Sequence, residues 1–340
     1  VASPTADIVI AVDAMGGDYA PAHVVEGAVS AAHEAAGRFA VTLVGRREEI
    51  RAELHRLGAP EALVAIEHAA EVVEMHDPPN AALKAKKDSS IAVGVALHHE
   101  GRAQAFVSAG NTGAVLSAST LILGRVPGVA RPTIGALIPT AGRPCFLVDA
   151  GTNVDCKARH LYEFGVMGSI YVSSMLGVPR PAVALLNIGE EEGKGNEVAQ
   201  EAYALLKGSE LHFVGNVEGR DILKGGADVV VCDGFTGNIL LKFGESIPGF
   251  FKARLTSYAQ RSLVATATVL AARGGLRSVM TELDYQEHGG VPLLGVNGVT
   301  IIGHGGSTPK AIKNMILRAE ETARAQINRK IQDALAHTSA

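Results

Sequence analysis

Residues 188–197 read Ile-Gly-Glu-Glu-Glu-Gly-Lys-Gly-Asn-Glu, and their types point to anion chemistry. Three glycines let the backbone bend and approach a ligand closely. Lys194 sets one ammonium beside three consecutive glutamates, and Asn196 adds an amide. Exposed N–H groups at a bent loop and a following helix start attract negative charge, so phosphate is the simplest ligand. The alternative reading is a polar surface turn with a solvated lysine.

Four other stretches have the same character. Lys84-Ala85-Lys86-Lys87-Asp88-Ser89-Ser90 offers Lys87, Ser89 and Ser90 at a helix start. Ser108-Ala109-Gly110-Asn111-Thr112-Gly113 opens an apolar helix with small hydrogen-bonding residues. Asp233-Gly234-Phe235-Thr236-Gly237-Asn238 repeats that chemistry, and Gly303-His304-Gly305-Gly306-Ser307 sets a histidine between glycines. A solvated basic turn, a helix cap or a structural histidine would account for each stretch singly. Cys156 and Cys232 lie beside such loops; a thioester-forming nucleophile needs a base and a lowered pKa, so a small buried residue is the favoured reading. Asp13, Asp18, Asp149, Asp155 and Asp233 are carboxylates without diagnostic metal spacing, and no metal is expected. No strict G-x-G-x-x-G is present, and Gly189 to Lys194 falls one residue short of a phosphate-binding Walker loop.

These loops need strands before them and helices after them. Apolar runs at Ile8 to Val12, Ala40 to Gly45, Leu63 to Glu67, Ala105 to Val107, Thr133 to Pro139, Cys145 to Val148, Val183 to Asn187, His212 to Val214 and Ala227 to Cys232 read as strands. Leu293 to Ile302 reads as a strand pair broken by glycine. Helical patterns alternate with them, among them 22–36, 91–99, 159–176 and 198–206. A last helix is expected from Pro309 to Leu335, on the apolar stripe Ile312, Ile316, Ala319, Ala323, Ile327, Ile331 and Leu335. Strand–helix alternation predicts an α/β fold with an open, mostly parallel sheet flanked by helices, as one large unit or two lobes.

The 340 residues are 47% hydrophobic and 19% charged, enough apolar material for a core. A net charge of −4 and 4% aromatics without Trp argue against a nucleic-acid partner. Three scattered cysteines predict a reduced, cytoplasmic setting without structural zinc. The N-terminal residues carry no basic and apolar leader pattern, and no apolar run is long enough to span a membrane. Residues 246–281 hold Lys252, Arg254, Arg261, Arg273 and Arg277 and no Asp or Glu. Phe250, Phe251, Leu263 and Val264 stand between these charges. That composition predicts a protruding helical hairpin that meets anionic lipid or an acidic protein, or else packs at a subunit interface.

Six stretches in register resemble the bacterial phosphate acyltransferase (PlsX) family. They are 11–18, 86–90, 108–113, 187–192, 194–197 and 294–298, within a likeness running from about residue 8 to 330. The resemblance implies transfer of a long-chain acyl group from acyl carrier protein to inorganic phosphate, without a cofactor. Acyl phosphate would pass to a membrane glycerol-3-phosphate acyltransferase for phospholipid synthesis. It also implies a fold similar to isocitrate/isopropylmalate dehydrogenases and phosphotransacetylases, a homodimer, and peripheral membrane attachment through residues 246–281. Under that resemblance Lys194, Asn196, Asn238 and His304 are the catalytic candidates. Lys87, Ser89, Ser90, Gly110, Asn111, Thr112, Gly113, Asp233, Gly234, Thr236 and Gly237 are the phosphate or substrate candidates, with Asn111 a further oxyanion donor. The competing classes are a metal- and NAD-dependent dehydrogenase on the same fold and a non-enzymatic membrane scaffold.

Overall fold

A computed structural model of the chain describes residues 7–282 and 289–336, with side chains of 277–282 left out of the description. The strands are β1 (Val9–Asp13), β2 (Ala40–Gly45), β3 (Ala65–His68), β4 (Ala105–Ser108), β5 (Thr133–Ile138), β6 (Cys145–Val148), β7 (Ala182–Asn187), β8 (His212–Glu218), β9 (Val229–Val231), β10 (Val291–Leu294) and β11 (Thr300–Ile302). The helices are α1 (Ala22–Ala35), α2 (Arg47–Arg56), α3 (Pro79–Ala85), α4 (Ser90–His99), α5 (Thr112–Ala118), α6 (Ala158–Leu176), α7 (Glu197–Lys207), α8 (Gly234–Ala259), α9 (Leu263–Glu282), α10 (Pro309–Arg324) and α11 (Ile327–Ala336). All the strands join one sheet in the order β3-β2-β1-β4-β11-β10-β5-β6-β9-β7-β8.

The sheet has two parallel blocks. β3, β2, β1, β4 and β11 run one way; β6, β9, β7 and β8 run the opposite way. β10 pairs antiparallel with β11 and β5, and β5 antiparallel with β6, which reverses direction at the centre. Parallel strands covered on both faces are apolar along their whole length. Ile10 and Val12 of β1 therefore enter a core with α1 and α10, while Ala11 enters the opposite core beside Ile91 and Val95 of α4. Phe146 and Val148 of β6 enter a third core with Phe164 and Met167 of α6. One continuous sheet thus carries separate cores along its two parallel blocks.

The last helix is a correction to the sequence reading. α10 and α11 are separate, divided at Ala325–Gln326, where Gln326 takes a φ of +54°. Ile312, Ile316 and Ala319 pack into the α1 core, whereas Ile327, Ile331 and Leu335 pack into the α6 core. One apolar stripe serves two cores, so the helix must break between them. Two further features are local. Asp-Pro-Pro-Asn starts α3 with Pro79 in its first turn, where a missing N–H costs nothing. The polar residues after Val214 extend β8 to Glu218, since an edge strand needs no continuous apolar pattern.

α8 also departs from the expected boundary. The hairpin does not begin near residue 246: its first helix starts at Gly234 and runs 26 residues to Ala259, through Pro248. Its second helix, α9, has α8 as its main neighbour among the described residues. Lys252, Arg254, Arg261 and Arg273 are exposed on this hairpin, and the Arg277 side chain lies outside the described residues.

Candidate active site

Ligands in open α/β sheets bind beyond the carboxyl ends of parallel strands. The neighbours β6, β9 and β7 deliver three such loops to one hollow of about 710 Å³. Val154, Asp155 and Cys156 come from the loop after β6; Asp233 and Thr236 follow β9; Asn187, Ile188, Gly195 and Asn196 follow β7. Two helices begin at its edge. Asn196 caps α7, its Oδ1 accepting from the Ala199 N–H at 2.9 Å. Asp233 caps α8, with one oxygen accepting from the Thr236 N–H and the other from the Thr236 hydroxyl, both at 2.8 Å. Each cap satisfies a helix donor that would otherwise lack an intrahelical partner.

Side-chain amides hold the Lys194 loop in place. Asn216 donates to the Glu191 carbonyl at 2.8 Å, and Asn187 to the Lys194 carbonyl at 3.0 Å. Gln200 donates to the carbonyls of Gly193 at 2.9 Å and Gly195 at 3.2 Å. Carbonyl oxygens that would repel an anion are thereby tied to protein donors. Gly195 adopts a φ of +88°, and a Cβ there would lie 2.6 Å from Asn187 Oδ1, so glycine is required. Lys194 is exposed, with Glu191 3.9 Å from its ammonium.

The start of α8 is pressed against the loop after β6. Gly234 N–H donates to the Asn153 carbonyl at 2.7 Å, and a Cβ at Gly237 would fall on the Asp149 carbonyl oxygen. Asp149 organises that loop: its carboxylate accepts from the N–H groups of Gly151, Thr152 and Asn153, each at 2.8 Å, and from the Asn153 amide at 2.7 Å. Burial pushes its carboxyl above the ordinary range, while these donors pull it back.

On the other side of α8 a second hollow, of about 430 Å³, crosses the face of the central strands. Asn238, Leu241, Lys242 and Glu245 of α8 line it, with Thr112, His304, Asp18 and Gly151. His304 Nδ1 accepts from the Gly306 N–H at 3.2 Å. Lys242 is paired with Glu245 at 2.8 Å.

The expected residues therefore divide into groups. Asn196, Asp233 and Thr236 meet at the first hollow, with Lys194 on the loop that borders it. Thr112, Asn238 and His304 meet at the second. Asn111 is buried as the cap of α5, and its amide nitrogen donates to the carbonyls of Glu74, Met75 and Asp77. Ser89 is the buried cap of α4, and buried Ser90 hydrogen-bonds Asp13. Asp13 also accepts from the Ser108 hydroxyl at 2.7 Å, and Ser108 accepts from the Gly110 N–H at 3.0 Å. Burial drives the Asp13 carboxyl upward against these hydrogen bonds. Gly113 packs on Pro79, Gly234 and Gly237 form the α8 contact, and Lys87 is exposed and lines neither hollow. Lys86, beside it, is held by Asp77 at 2.6 Å.

The loop after β6 contributes to both hollows, and sequence reading did not make it a site. Its Gly-Thr-Asn composition after an apolar run carried the same signal as the chosen loops. Burial pushes all three thiols up: Cys145 to about 12, Cys156 to about 11 and Cys232 well above 9.0. A neutral thiol is a poor nucleophile. The aspartates do not gather: no group of three or more His, Cys, Asp or Glu forms a metal set among the described residues.

Comparison with known proteins defines the class. The fold aligns with a EutD phosphotransacetylase from Staphylococcus aureus at a TM-score of 0.62 and 15% identity, covering 94% of this chain and 96% of that one. A phosphotransacetylase from Streptococcus pyogenes gives 0.62 at 18% identity, with 94% of each chain covered. These likenesses establish the fold. The family model described as "Fatty acid synthesis protein" matches residues 8–330. The phosphate acyltransferase of Dictyoglomus turgidum is 47% identical over 96% of this chain and 97% of its own length. That of Heliobacterium modesticaldum is 49% identical over 92% and 93%. The chain is an acyltransferase and belongs to the phosphate acyltransferase (PlsX) family.

Proposed function

We propose that this protein transfers a fatty acyl group from the thioester of acyl carrier protein to inorganic phosphate, supplying acyl phosphate for membrane phospholipid synthesis. One observation carries the reading: α7 and α8 begin side by side on one apolar hollow, with Lys194 on the adjoining loop. Helix starts and an ammonium suit an anion, and the apolar walls suit a hydrocarbon chain.

Phosphate is a hydrated dianion and must be stripped of water and held beside the thioester carbonyl. Lys194 and the α7 start hold it. A phosphate oxygen attacks the carbonyl carbon, and the Asn196 amide hydrogens, left over by a cap that uses only Oδ1, donate to the oxyanion. Collapse breaks the C–S bond and releases the carrier thiolate, which takes up a proton. No enzyme thiol takes part, in keeping with the raised cysteines. Asn238 and His304 line the second hollow, across α8 from this carbonyl, so they take no direct part in the transfer step.

The exposed hairpin is proposed to rest on an anionic membrane surface, or on the acidic carrier protein that docks there. Exposed Phe250, Phe251, Leu263 and Val264 beside Lys252, Arg254 and Arg261 support this. Among the described residues no helix is long and apolar enough to cross a membrane.

Replacing Lys194 by Ala tests the site. One charge-assisted contact is worth about 1.5–3 kcal/mol, so kcat/KM for phosphate should fall roughly 10- to 100-fold. The unfolding midpoint should hold, since an exposed pair at 3.9 Å contributes little to stability. Wild-type kinetics in this variant would remove Lys194 from the mechanism.

A further inference from the structure

The first hollow has a feature that anion binding does not explain. Its rim is apolar yet open to solvent: Ile188 is 82% exposed, Ile239 54% and Phe243 67%. Its floor is Leu161 and Leu185, both buried. Contiguous exposed side chains of this size mark a surface that meets an apolar ligand. The second hollow is smaller and carries charges of both signs, Asp18, Lys242 and Glu245, where the first carries Asp155 and Asp233.

Resting on the acyl-transfer reading above, we propose that the hollow at the ends of β6, β9 and β7 is the acyl-chain site. It takes the saturated chain of a fatty acyl thioester, with Leu161 and Leu185 as its floor and Leu240 as the wall that limits chain length. The α8 helix divides the two hollows residue by residue: Leu240 lines the first and Leu241 the second. Adjacent substitutions therefore probe opposite cavities.

The test measures kcat/KM for acyl-acyl carrier protein donors of eight and sixteen carbons, with phosphate as acceptor, in wild-type, Leu240→Trp, Leu240→Ala and Leu241→Trp proteins. Wild-type protein must form acyl phosphate; if it does not, the acyl-transfer reading fails before the chain site is at issue. Given wild-type activity, Leu240→Trp should lower the sixteen- to eight-carbon ratio at least tenfold. Leu240→Ala should leave that ratio equal or raised, and Leu241→Trp should keep it within twofold. If Leu241→Trp shifts the ratio and Leu240→Trp does not, the chain lies in the other hollow. A Phe243→Glu protein serves as a second route where Leu240→Trp folds poorly. Loss of long-chain preference there supports the proposal. An unchanged ratio, with dissociation of a dimer on sedimentation, would assign the rim to a second copy of the chain and overturn it.

Discussion

Cys156 borders the first hollow and has the sulfur that an acyl-enzyme route would use. Burial, reinforced by the charges of Asp149 and Asp233, holds its thiol near 11 against an ordinary 9.0. A raised folded pKa means the native state keeps its proton more tightly. The resulting stability is complete below pH 9 and is lost as pH rises through 11. Alkylation of Cys156 at pH 8 should thus run about 100-fold slower than for a free thiol, rising toward pH 11. Mass spectrometry after incubation with acyl donor and no phosphate should find no acylated cysteine; a covalent adduct would refute direct transfer. Other residue-scale roles were only partly legible. Ser89 and Asn111 have the types expected of anion ligands, but the same groups cap helices, and sequence cannot tell a buried cap from an exposed donor.

At the scale of elements, α8 is the common part. It begins in the site, separates two hollows and continues into the hairpin. Its position depends on backbone contact at Gly237, where a methyl group would meet the Asp149 carbonyl. Gly237→Ala should destabilise the protein by about 1–3 kcal/mol in denaturant unfolding, the usual cost of overpacking. Turnover should fall further than stability alone explains, because the first turn of α8 shifts. Equal stability and activity would show that the contact relaxes freely. Most strands and helices were legible because a two-sided parallel sheet writes continuous apolar runs between glycine-rich loops. A helix start at Ile239 to Leu241 was legible; that it continues through Pro248 into the basic 246–281 hairpin as one helix was not. The α10–α11 break was hidden because one apolar stripe continues across it, although its halves enter different cores.

At the scale of the molecule, one sheet carries two parallel blocks of strands, while Phe250 and Phe251 of the hairpin stay exposed. A Phe250→Ser/Phe251→Ser protein should float poorly with vesicles containing anionic lipid, yet keep acyl transfer from soluble carrier protein. Full flotation with loss of acyl transfer would tie the hairpin to catalysis and not to the membrane. The central claim concerns the acceptor, because the α7 start and Lys194 are proposed to hold phosphate. The most direct measurement incubates purified protein with acyl-acyl carrier protein, with and without inorganic phosphate, and assays free carrier protein and hydroxylamine-trappable acyl phosphate. The account predicts equal amounts of both, only when phosphate is present. Carrier release without phosphate, or release with no trappable acyl phosphate, would contradict it.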